Sequence, residues 1–127
     1  MFRLAAIAFF GFSSISQATL PKAFLAEHCH QCHGPNKQKA DRRFDTLATS
    51  IENFEQQELW QDIVDQLNLG EMPPPRKKQP VAGEKAKTIA SITVGIAAEI
   101  QRAKDEREWA ERRAEMDKKQ YVLQFSG

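Results

Sequence analysis

The stretch Gly70-Glu71-Met72-Pro73-Pro74-Pro75 admits no helix, and every regular element legible elsewhere in the chain is helical. Each proline fixes its own φ and pushes the residue before it towards extended geometry, so three in a row hold the backbone open. The stretch therefore splits the chain into helical arms. On its N-terminal side, Leu59, Trp60, Ile63, Val64 and Leu67 fall on one stripe at helical period. That predicts an amphipathic helix over Glu55–Leu69 that Gly70 terminates. On its C-terminal side a long helix is predicted from about Gly83 to Tyr121, with Ile89, Ile92, Ile96 and Ile100 at helical spacing in its first half. Its second half changes character: residues 102–119 carry thirteen charged side chains. Pairs such as Glu108–Arg112 and Glu115–Lys119 support an exposed helix there, a solvated extension or linker.

Two further helices are predicted nearer the N-terminus. One opens at Thr19-Leu20-Pro21, with Thr19 as cap and the proline in the first turn, carries Phe24 and Leu25, and ends near Gly34-Pro35. A polar loop rich in Lys and Arg follows over 34–43. A short helix is predicted over 45–51, capped by Asp45, with Leu47 and Ile51 on one face. No strand pattern or repeat stands out. The core-forming part is only about residues 20–100, and domains so short often need a staple or a cofactor.

Residues 1–18, MFRLAAIAFFGFSSISQA, read as a secretory signal. Arg3 gives a charged start, Leu4–Phe12 an apolar run, and Ser16 and Ala18 the small residues before a cut. The run is too short for a membrane span, which needs about 20 apolar residues. The formal net charge is +1, and removing Arg3 leaves the mature chain about neutral. No charge imbalance points to nucleic acid or anionic lipid. The expected location is periplasmic or otherwise extracytoplasmic, where thiols seldom stay free without a reason.

Both cysteines and all three histidines lie in His28-Cys29-His30-Gln31-Cys32-His33. Structural zinc needs four converging ligands, usually from two parts of the chain, and neighbouring side chains on a helix splay apart. A redox dithiol belongs at a helix start among strands, and neither is predicted here. Covalent haem is the third reading. Cys-x-x-Cys-His is the c-type attachment signature: two thiols three residues apart reach the two vinyl groups on one porphyrin edge, and the histidine turns to the iron. A second axial ligand must come from elsewhere, because His28 and His30 lie too close to Cys29 to reach the opposite face. Beyond the signal the methionines are Met72 and Met116, and Met116 sits in the charged tail. Met72 lies 39 residues beyond His33, stiffened by Pro73, and is favoured as ligand over core filler.

Phe24–Gly34 with its Cys29-His30-Gln31-Cys32-His33, then Leu59-Trp60, then Gly70–Pro75, together resemble the planctomycete-type cytochrome c domain. The domain is a small member of the class I c-type cytochromes. The resemblance spans roughly residues 20–100. It implies an all-α, class I cytochrome c-like fold of about four helices, here with a long charged C-terminal helix. It also implies one haem c attached through Cys29 and Cys32, His33 and Met72 as the axial iron ligands, and electron transfer without turnover chemistry. The corresponding division is a signal over 1–18, a haem domain over 19–101 and a charged extension over 102–127. Family members commonly continue into further domains, so a fragment, a frameshifted product and a stand-alone domain all stay open. The expected partner is a redox protein or an attached downstream domain.

On this reading Phe24, Leu25, Phe44, Leu47, Trp60, Ile63, Val64 and Leu67 wall the haem. Lys37, Lys39, Arg42 and Arg43, with Arg76, Lys77 and Lys78, flank its edge, as partner-steering or plain solvated charge. His28 and His30 are expected to be exposed bystanders. Two other readings remain: a haem-linked structural or sensing module of a larger secreted enzyme, and a zinc-knuckle interaction domain.

Overall fold

In the computed structural model, residues 19–125 are described; the proposed signal lies outside them. Three α-helices make the fold: α1 (Lys22–His28), α2 (Phe54–Leu69) and α3 (Ala82–Phe125). A two-stranded antiparallel ribbon, β1 (His33–Gly34) and β2 (Lys37–Gln38), and a 3-10 turn at Lys39–Asp41 lie between α1 and α2. The ribbon was not predicted; two-residue strands carry no periodicity to read.

α2 forms as its stripe requires. Trp60, Ile63, Val64 and Leu67 are buried along one face. Asn53 caps its start, its side chain accepting from the Gln56 amide at 2.9 Å, while Gln56 Oε1 accepts from the Glu52 amide at 2.8 Å. This reciprocal pair is a variant of the capping box. Gly70 ends the helix in the left-handed conformation at φ 72°, where a Cβ is costly and glycine is not.

The core gathers Leu20, Phe24 and Leu25 from the α1 region, the α2 stripe, and Ile92 and Ile96 from α3. α3 runs without a break across residue 102. The stripe departs from expectation at its end: Ile100 is exposed and Glu99 is buried instead. Glu99 is tolerated there because Arg102 donates to both its carboxylate oxygens, at 2.8 and 2.7 Å. Arg102 also donates to the Glu52 carbonyl at 2.7 Å, tying the segment before α2 to α3. From Lys104 to Phe125 every described residue is exposed. Along that stretch Glu115 pairs with Lys119 as expected, whereas Glu108 takes Lys104.

Three local expectations are corrected. α1 stops at His28, not near Gly34. The Leu25 carbonyl accepts from both Cys29 and His30 amides, and the chain then turns. Thr19 does not cap α1, whose N-cap is Pro21; its carbonyl accepts from Ser91 on α3 instead, at 2.8 Å. Residues 45–51 are not helical. The Asp45 carboxylate that would cap them is taken by Arg43, at 3.1 and 2.6 Å. Leu47 and Ile51 still pack against the core.

Candidate functional site

The Cys-x-x-Cys-His run is a compact turn. The Cys32 and His33 amides both donate to the Cys29 carbonyl, at 3.0 and 2.9 Å, and the Lys39 amide donates to the Cys32 carbonyl at 2.9 Å. His33 is fixed further. Its carbonyl accepts from the Phe44 amide at 2.7 Å, and the Phe44 ring stacks on its imidazole with centroids 4.6 Å apart. Gly34 is required next in line, because a Cβ there would lie 2.3 Å from the His30 carbonyl oxygen.

Opposite this turn stands the proline loop. α2 delivers it: the Gln66 carbonyl accepts from the amides of Glu71 and Met72, at 3.2 and 3.3 Å. The Met72–Pro73 bond is cis. Prolines offer no N–H to stitch the loop together, and Gln79 supplies the donor. Its side-chain nitrogen lies 3.1, 2.9 and 3.1 Å from the carbonyls of Pro73, Pro74 and Lys77. Sequence reasoning missed Gln79; a polar side chain just after three prolines was the available signal.

Between turn and loop lies a cavity of about 430 Å³, within the range of roughly 300–1,000 Å³ common for cofactor and ligand sites. Cys29, Cys32, His33 and Met72 all line it. So do Phe44, Ile63 and Leu67 among the expected haem-wall residues, whereas Phe24, Leu25, Trp60 and Val64 lie in the core and Leu47 packs against it. The wall is thus one side of α2 plus the His33 partner. Of the seven basic residues, Arg42, Lys77 and Lys78 line the cavity. Arg42 pairs with Asp62 at 2.8 Å, Lys78 with Glu27, and Arg43 with Asp45. The rim is therefore partly neutralised.

The chemistry of these groups separates the readings. Cys29 and Cys32 are free thiols. Burial, with the neighbouring Cys32 as second cause, pushes the Cys29 thiol up to about 11. A redox dithiol needs the opposite shift, towards a thiolate at neutral pH. Nor do the Cys and His side chains of the run converge as a zinc knuckle requires: the metal-competent group found among the described residues is Glu27, His28 and Glu84. The residues do fit a haem. Two thiols line one apolar-walled cavity with a histidine and a thioether, and His33 Nδ1 is buried without a partner.

His28 and His30 are not the exposed bystanders expected. The His28 side chain is 1% exposed, under Phe24 and against Glu84. Both its ring nitrogens, and His30 Nε2, are buried without hydrogen-bond partners.

A small all-α domain that brings a Cys-x-x-Cys-His turn and a methionine loop to one cavity has the layout of a haem-binding domain. Residues 29–76 match the family model described as Planctomycete cytochrome C, which supports a planctomycete-type cytochrome c domain there. The match supports a haem-binding, electron-transfer role. No curated protein and no solved structure matches the chain. Among the described residues no helix is long and apolar enough to cross a membrane.

Proposed function

We propose that the protein is a one-electron carrier holding a single haem c through thioethers to Cys29 and Cys32, with His33 and Met72 as the axial ligands. The observation that carries the reading is the shared cavity: four side chains drawn from positions 29 to 72 line one apolar-walled space. When bound, haem supplies the Fe(III)/Fe(II) couple, and His/Met ligation favours a high potential.

The chain's own residues do the rest. The Cys29 carbonyl gathers the turn, so both thiols are held beside the histidine. Phe44 fixes the His33 ring by stacking, and the Gln66 carbonyl and Gln79 amide hold the Met72 loop. Ile63 and Leu67 exclude water from the inner wall. Were His33 and Met72 both to hold the iron, no position on it would be open to a substrate, and the role would be electron transfer rather than turnover. The proposed partner is a redox protein or a domain joined to this one, met outside the cytoplasm after removal of residues 1–18. Lys77 at the rim suits an acidic surface, while Lys78 is held by Glu27.

The test is a spectrum of chain matured with haem. A reduced pyridine haemochrome of c type is expected, with the weak red-edge band of Met–iron ligation in the oxidised form. Met72→Ala should lose that band and keep the covalent haem. Survival of the band in Met72→Ala would refute the ligand assignment.

A further inference from the structure

We propose that Glu27, His28 and Glu84 form a second metal site, for Zn²⁺ or a similar divalent transition cation, at the rim of the cavity. Their donor atoms lie within 4.8 Å of one another. The group spans two elements: Glu27 and His28 end α1, and Glu84 stands in the first turn of α3.

His28 is what separates this group from an ordinary surface cluster of acids. Its side chain is 1% exposed, yet neither Nδ1 nor Nε2 has a hydrogen-bond partner. Buried imidazole nitrogens are costly to leave unpaired. Nε2 lies 3.6 Å from Glu84 Oε1. That is too long for a hydrogen bond. It is close to the ligand–ligand edge of a tetrahedral zinc site, about 3.4 Å from metal–ligand bonds of 2.0–2.2 Å. One imidazole and two carboxylates are a donor set suited to zinc, with water completing the shell.

Glu27 has a competitor. Lys78, from the loop after Met72, pairs with it. The Glu27 and Lys78 side chains are both substantially exposed, so the carboxylate can rotate from ammonium to cation. Metal uptake therefore exchanges the tether between α1 and the methionine loop for one between α1 and α3. The site stands on these three side chains and does not depend on haem.

The experiment is calorimetric titration of the full chain with ZnCl₂ in a non-chelating buffer. Haem-loaded protein is used; if no haem attaches, the two cysteines are alkylated first. Failure of the haem reading therefore leaves this test intact. One Zn²⁺ per chain is expected, with zinc-edge absorption showing nitrogen and oxygen ligands and no sulfur. His28→Gln and Glu84→Gln should each weaken binding at least about tenfold. Glu84 lies far in sequence from the attachment turn, so its variant remains informative if His28→Gln fails to fold. Lys78→Met should tighten binding about two- to fivefold by releasing Glu27. No saturable uptake, indifference to Glu84→Gln, or an unchanged or weaker affinity in Lys78→Met would overturn the site.

Discussion

Gly34→Ala isolates the turn that orients His33. The added Cβ would stand 2.3 Å from the His30 carbonyl oxygen and 3.2 Å from its carbonyl carbon. Ordinary carbon–oxygen approach is about 3.3–3.6 Å, so the two must separate by roughly 1 Å. Neither atom belongs to a flexible side chain. The displacement must pass into the backbone of 30–34, where His33 pairs with Gln38 and accepts from Phe44. Overpacking a fixed site costs about 1–3 kcal/mol, and two backbone segments in collision belong at the top of that range. At about 2–3 kcal/mol, the thermal midpoint should fall by some 8–24 °C for a domain of this size. Gly83→Ala is the internal control: nothing lies within 4 Å of a Cβ there, in the first turn of α3. It should be neutral or stabilising by up to about 1 kcal/mol. Thermal and denaturant unfolding by circular dichroism, with covalent haem per chain measured in parallel, reads both. A Gly34→Ala protein that unfolds at the wild-type midpoint with full haem would show that the turn yields freely, and the steric argument would fail.

Gln79→Leu removes the donor shared by three loop carbonyls. Its two N–H groups make at most two good bonds, and the mostly exposed acceptors regain water, so a loss of about 1 kcal/mol is expected. The Met–iron band should then weaken at lower denaturant than global unfolding, and loss of both signals together would argue against a local clamp. Asp45 gives a pH signature. The Arg43 hydrogen bond holds its carboxyl below the usual carboxylate range. A depressed folded value contributes stability that is present above the unfolded value, about 3.9, and is lost as pH falls through the folded one. Asp45→Asn should flatten this part of the acid limb of stability against pH; an unaltered limb would remove Asp45 from the account.

The parts of this fold legible in the sequence were those that repeat or forbid. The α2 stripe repeats at 3.6, Gly70 and three prolines forbid continuation, and Cys-x-x-Cys-His has a spacing that serves one chemistry. What stayed hidden was decided by single polar contacts. Asp45 reads as a helix cap until Arg43, two residues earlier, occupies both its oxygens. Ile100 reads as the next core residue, but the drift of a 3.6-residue period brings position 99 inward. Glu99 can enter because Arg102, one turn on, neutralises it. His28 reads as a surface residue because it precedes a motif that explains its neighbours. Its burial depends on Phe24 one turn back and on Glu84 at the start of another helix, which no local pattern connects.

The same distinction explains how the site is assembled. One half is local: a turn whose amides fold back on Cys29 sets both thiols and His33 within five residues, 29 to 33. The other half is distant in sequence and is placed by the end of a helix. Gly70 turns the chain, and the Gln66 carbonyl, which accepts from the Gly70 amide at the helix end, takes the Glu71 and Met72 amides as well. Because α2 is held in the core by Trp60 and Leu67, the position of Met72 relative to His33 is a consequence of core packing. A core substitution such as Trp60→Ala should therefore disturb the methionine side of the cavity before the cysteine turn, which has its own internal hydrogen bonds.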